Sequence, residues 1–162
     1  MPEFIDQTFA LYMAIGFAAQ MVDGALGMAY GLTATSFLMA SGVSPVTASA
    51  TVHFAETFTT GASAVSHHHF GNVHSRLFKR LVIPGMLGAA LGAYVLTSIP
   101  GDAIKPFVAG YLVLMGLYVL AKSLKAIAPM HVEKRVGPLG FFGGLIDAIG
   151  GGGWGPIVTS TL

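Results

Sequence analysis

Four ionisable side chains stand inside stretches that are otherwise apolar: Asp23, His53, Glu56 and Asp147. An acid at the centre of a membrane helix costs a few kcal/mol by insertion scales, about 3 kcal/mol, so such residues face a bundle interior or a water path. His53 and Glu56 lie three apart in "VTASATVHFAETFTTGASAVS". At 100° per residue they share one line with Ser49, Thr60 and Ser63, a polar stripe from which Phe54 and Phe58 point away. Hydroxyls on such a stripe serve as interhelical hydrogen-bonding groups, but that role accounts poorly for the histidine and the acid. A His and an acid on one helical face can share a proton near neutral pH, as a proton-coupled or anion-binding path requires. For Asp23 and Asp147 two readings stand side by side: each caps a broken half-helix by accepting backbone N–H bonds, or each handles protons or substrate.

Metal chemistry is weakly supported. The chain has no cysteine, and His53-x-x-Glu56 supplies two ligands where zinc takes at least three from protein. His67, His68, His69 and His74 read as interfacial loop residues, with a surface metal as the lesser alternative. Gly150-x-Gly152-x-x-Gly155 spells the dinucleotide fingerprint but lacks the strand that must precede it. No Lys or Arg falls deep within an apolar segment. An anion would then have to be held by hydroxyls and by backbone N–H groups at half-helix N-termini, which favour negative charge.

These residues must be positioned by membrane helices. Of 162 residues 54% are hydrophobic and 9% charged, with a mean hydropathy of +0.73, against about 25% charged in soluble domains. The expected fold is all-α, a polytopic helical membrane protein with no nucleic-acid partner. Apolar segments run over 8–40, 46–66, 81–99 and 105–122, and a fifth opens after 137. Ser44-Pro45 suits an N-cap and first-turn proline, and Pro84 suits the first turn of the third crossing. The Gly85, Gly88 and Gly92 face of that crossing predicts close helix packing. Seven of the eight Lys and Arg fall on the loops 67–80 and 122–136, which the positive-inside rule makes cytoplasmic, in an inner (plasma) membrane. The segment 8–40 is too long for one straight crossing, and the acids Glu3 and Asp6 before it suggest an outside N-terminus. A re-entrant hairpin turning near Gly24 to Gly31 meets both facts, with one long tilted helix as the alternative.

"GFAAQMVDGALGMAYGLTATSFL" at 16–38 and "GFFGGLIDAIGGGGWGPIVTSTL" at 140–162 align without a gap at an offset of 124, with eight of 23 positions identical. Asp23/Asp147, Gly27/Gly151, Gly31/Gly155, Thr35/Thr159 and Ser36/Ser160 fall in one register, and Tyr30 faces Trp154. Three crossings separate the copies, so the second enters from the opposite face. That is an inverted repeat with a glycine-broken first helix in each half, the pattern that marks the site of a secondary transporter. Residues 1–136 form the first repeat, and 137–162 open a second that is expected to continue beyond Leu162.

These two elements, with "TASATVHFAETFTTGAS" and "GNVHSRLFKRLVIPGMLGAALGA", resemble the sulfite exporter TauE/SafE family of membrane proteins. The resemblance implies a permease of small sulfur-containing anions, such as sulfite or organosulfonates, built from two homologous halves. Carried over by position, its motif residues are Asp23, Gly27, Gly31, His53, Glu56, Asp147, Gly150, Gly151, Gly152, Gly153, Trp154, Gly155 and Pro156. With the stripe and repeat residues Thr35, Ser36, Thr60, Thr159 and Ser160 they form the expected substrate and coupling site. Proton-motive drive is expected, and no cofactor. The partners are the lipid bilayer, a small anionic substrate, and either a second copy or a missing second half. The rival functions are a membrane metalloenzyme using His53 and Glu56, or a fragment that does not transport.

Overall fold

The computed structural model describes residues 7–124, 135–159 and 161. Within them run α1 (Gln7–Leu26), α2 (Tyr30–Ala40), α3 (Pro45–His69), α4 (Ser75–Ser98), α5 (Gly101–Ser123) and α6 (Val136–Gly150), followed by a short π-helical segment, Trp154–Thr159. No strand occurs among the described residues. The fold is an all-α membrane bundle. Glu3, Asp6, Lys125, Lys134, Ser160 and most of the 122–136 loop lie outside the described residues.

The helix boundaries follow local chemistry. Ser44 caps α3 by accepting the Thr47 N–H, and Pro45 occupies the first turn, where no amide is needed. Helices α1, α4 and α5 are long and apolar enough to cross a membrane. At 25 residues α3 has the length but not the hydropathy, because its hydroxyl stripe lowers it. The segment 8–40 divides into α1, whose 20 residues make about 30 Å, and α2, whose 11 residues make about 16 Å. Tyr12, Ile15 and Gly16 share a groove with Ala34, Leu38 and Val43, so α2 folds back along α1.

Two boundaries differ from expectation: α3 runs on through His69, so His67, His68 and His69 form its last turn and not a loop. Helix α4 begins at Ser75, so Arg76, Lys79 and Arg80 sit on its first two turns and not in a loop. Their long side chains let a helix run past the apolar layer while the charges stay in water. That earlier start leaves Pro84 in the helix interior instead of the first turn. Its missing N–H frees the carbonyl one turn back, and its ring instead packs toward Gly137 of α6.

The tightest packing joins α4 to α6, which run parallel. A Cβ at Gly88 would collide with the Phe141 carbonyl, one at Gly92 with that of Leu145, and one at Gly144 with that of Gly85. Backbone therefore meets backbone, the arrangement that small residues permit between membrane helices. Gly88→Leu is expected to separate α4 from α6 at an overpacking cost of about 1–3 kcal/mol or more, read as a lower melting temperature in detergent. A larger cluster, including Leu32, Leu38, Val52, Val108 and Leu112, ties α2, α3 and α5 together beside it.

Candidate functional site

Both glycine-rich breaks have the same local construction. Helix α1 ends where Gly27 turns left-handed at φ 75°, and α6 ends where Gly151 does so at φ 70°. The Gly27 amide donates to the Asp23 carbonyl at 2.5 Å, and the Gly151 amide to the Asp147 carbonyl at 2.6 Å. Asp23 Oδ1 then accepts the amides of Ala29 (2.7 Å) and Tyr30 (2.9 Å). Asp147 Oδ1 accepts those of Gly153 (2.6 Å) and Trp154 (2.9 Å). Each aspartate thus caps the element that follows its own break, reaching six and seven residues ahead. Four of the amides at the breaks are thus already engaged by carboxylate.

The two breaks cross. A Cβ on Gly31 would strike the Gly151 carbonyl and come 3.0 Å from Gly152 Cα, and a Cβ on Gly155 would come 2.6 Å from the Met28 carbonyl. Residue 28 lies against 155 and residue 31 against 152, so the strands of the crossing run antiparallel. Thr35 Oγ1, on α2, donates to the Gly151 carbonyl at 3.2 Å and seals the contact from inside. Behind it, Tyr111 of α5 donates its hydroxyl to the Gly152 carbonyl at 3.3 Å. Its ring fills the space beside Gly150 and Gly153, where any Cβ would clash.

Helix α3 lies beside this crossing and adds the titratable pair. His53 Nε2 faces Asp147 Oδ2 at 3.3 Å. Its Nδ1 faces the Ser49 carbonyl at 2.7 Å. A carbonyl only accepts, so Nδ1 donates and carries a proton. Nε2 and a carboxylate oxygen are both acceptors unless a further proton lies between them, so the pair holds one. Ser49 Oγ donates to the Ala148 carbonyl at 2.7 Å, which pins α3 to the end of α6. The Glu56 carboxylate, one turn on, takes no hydrogen bond from the described residues.

A cavity of about 510 Å³ opens between the crossing and α3. Asp23, Gly27, Gly31, His53, Glu56, Thr60, Asp147, Gly152, Trp154 and Gly155 line it. Thr35 is buried in the crossing, Gly151 turns away behind it, and Ser36 is exposed and donates to the Leu32 carbonyl. Thr159 is exposed away from the cavity, and Ser160 lies outside the described residues. Gln20, Met28, Tyr30, Thr57, Thr59 and Pro156 also line the wall. Pro156 was already among the motif residues and Tyr30 faced Trp154 in the repeat, whereas the other signals were faint: Gln20 lies one helical turn before Asp23, and Thr57 and Thr59 flank the stripe. Among the described residues three carboxylates reach this cavity and no Lys or Arg does. Thr57 and Thr60 give their protons to the His53 and Glu56 carbonyls, which leaves only lone pairs for a ligand. Among the described residues no three His, Cys, Asp or Glu converge as metal ligands.

The family model described as "Sulfite exporter TauE/SafE" matches residues 12–162. The "Probable membrane transporter protein YtnM" of Bacillus subtilis (strain 168) is 48% identical over 159 residues, covering 94% of this chain and 53% of that protein. A "Probable membrane transporter protein ORF9" of a Sinorhizobium species is 27% identical over 141 residues, covering 87% of this chain and 53% of that protein. The chain therefore spans about half the length of the curated relatives it matches. No solved structure matches it.

Proposed function

The chain belongs to the sulfite exporter TauE/SafE family of membrane transporters, and on that premise we propose that it carries small sulfur-containing anions, such as sulfite or organosulfonates, in a proton-linked manner. It is a multi-pass membrane protein and not an enzyme. In the proposed arrangement the membrane is the inner (plasma) membrane, and the segments 67–80 and 122–136 face the cytoplasm. Residues 1–136 are the first repeat and 137–162 the opening of the second, in an inverted pair.

The observation that carries the proton linkage is the proton inventory of the cavity. Asp23, Glu56 and Asp147 line it, and among the described residues the one side chain facing it that can be a cation is His53, which is already paired with Asp147. An anion a few ångströms from two unneutralised carboxylates is repelled by about 4 kcal/mol per close charge at an effective dielectric near 20. Occupancy therefore needs proton uptake. Glu56 is the natural acceptor, since Asp23 and Asp147 are held as caps. With Glu56 neutral and His53 charged, His53, Gln20, Tyr30 and Ser63 become the donors available on the wall.

Transport should accordingly rise as the substrate-side pH falls, by up to about tenfold per pH unit for one obligatory proton. An organosulfonate is the suitable probe, because its own charge does not change with pH. Glu56→Gln is expected to flatten this dependence to less than about twofold while the protein remains in the membrane. Reconstituted protein that keeps a full pH dependence with Gln at this position would remove Glu56 from the coupling role.

A further inference from the structure

The crossing of the two breaks is reciprocal. At the 124-residue offset the counterparts of Met28 and Gly31 are Gly152 and Gly155. Met28 lies against Gly155 and Gly31 against Gly152, so each residue meets the counterpart of the other's position. Contacts of that form define a local two-fold axis, as in an isologous interface. The axis passes through the crossing, and it relates α1 to α6.

Applied to the rest of the fold, the same axis exposes an incomplete interface. Helix α6 uses Gly140, Phe141, Gly144 and Leu145 to seat the glycine face of α4. The counterparts of these four on α1 are Gly16, Phe17, Gln20 and Met21. Here nothing lies within 4 Å of a Cβ added at Gly16, and Phe17 and Met21 are 71% and 62% exposed. Gln20, the remaining counterpart, lines the cavity instead.

We propose that this face of α1 seats a helix from the part of the transporter that this chain does not span, the two-fold counterpart of α4. A second copy of the chain does not supply it, because the glycine face of its own α4 is buried against its own α6. The curated relatives have the length for it, since the chain covers 53% of each. The docked helix presents small residues opposite Gly16, as α4 presents Gly85 and Gly88 to α6.

The proposal rests on the family's length and on the two-fold contact, and its test reads stability and cross-linking, so it stands or falls separately from the substrate. In protein expressed from its complete coding sequence, Gly16→Leu should lower the melting temperature by about 5 °C or more. Gly110→Leu, at an exposed α5 glycine with nothing within 4 Å, should leave it unchanged. A photoreactive benzoylphenylalanine in place of Phe17 should cross-link within the same chain, to a small-residue helix beyond Leu162. Equal melting shifts at the two glycines, lipid adducts alone at position 17, or a cross-link to a second copy would each overturn it.

Discussion

Asp147→Ala is expected to abolish transport and to destabilise the whole bundle, whereas Asp147→Asn should retain the fold and lose only transport. One carboxylate does two jobs with two oxygens: Oδ1 caps Gly153 and Trp154, and Oδ2 faces His53 Nε2. Alanine leaves both amides without their acceptor, at about 1 kcal/mol for a lost cap, and strips His53 of its counter-charge. Breaking a fully buried ion pair from one side costs about 3–5 kcal/mol; with His53 35% and Asp147 19% exposed, this pair contributes less than that. Asparagine keeps an Oδ1 acceptor for the amides. Its Nδ2 now donates to a neutral His53 Nε2, so the geometry survives and the shared proton is gone. The pair of variants separates a cap from a relay: melting temperature reports the first, and proton-driven organosulfonate flux in proteoliposomes the second. If Asp147→Asn transported normally, the His53–Asp147 proton would have no part in coupling.

The second large effect concerns two glycines of the same break that look alike in the sequence. Gly31→Ala should reduce transport by more than about tenfold, as overpacking of about 1–3 kcal/mol falls on the crossing itself. A Cβ there meets the Gly151 carbonyl, the Gly152 Cα and Glu56 Oε1. Two of those are backbone and cannot swing aside, so the breaks must part. Gly27→Ala should be milder. Its φ of +75° strains an L-residue by about 1–2 kcal/mol, but nothing lies within 4 Å of the added carbon. Gly27→Asn should be milder still, because asparagine tolerates the left-handed region. Flux normalised to protein in the membrane, measured for all three variants, would test the order; equal losses at 27 and 31 would mean that backbone strain, and not the crossing, limits both.

Much of this machinery was legible in the chain itself. Asp23 and Asp147 stand in one register with paired glycines, so the repeat was visible, with capping as one of two readings of the aspartates; the structure shows the caps, contacts between residues six and seven apart. The stripe from Ser49 through His53 to Ser63 was visible for the same reason: helical periodicity converts spacing into direction. The glycine face of α4 announced close packing, and α6 provides it. Helix ends were less legible. Arg76, Lys79 and Arg80 read as loop because apolar content, not backbone hydrogen bonding, marks a segment in sequence, and a helix continues past the lipid at little cost.

What the chain by itself determined is the local chemistry: an all-α membrane fold, two glycine breaks with an aspartate before each, and one helix carrying a histidine and an acid on a single face. These follow from interactions within a turn or two, and composition and spacing encode them directly. Tertiary structure alone decided what those parts face. Thr35 meets Gly151 across 116 residues and His53 meets Asp147 across 94, so the His partner of the second aspartate comes from α3. It also turned Thr35 and Gly151 into the seal of the crossing while Gln20, Tyr30 and Thr57 took places on the cavity wall. Such pairings depend on which backbones can approach to van der Waals contact, a property of the packed helices together that no single stretch of residues contains.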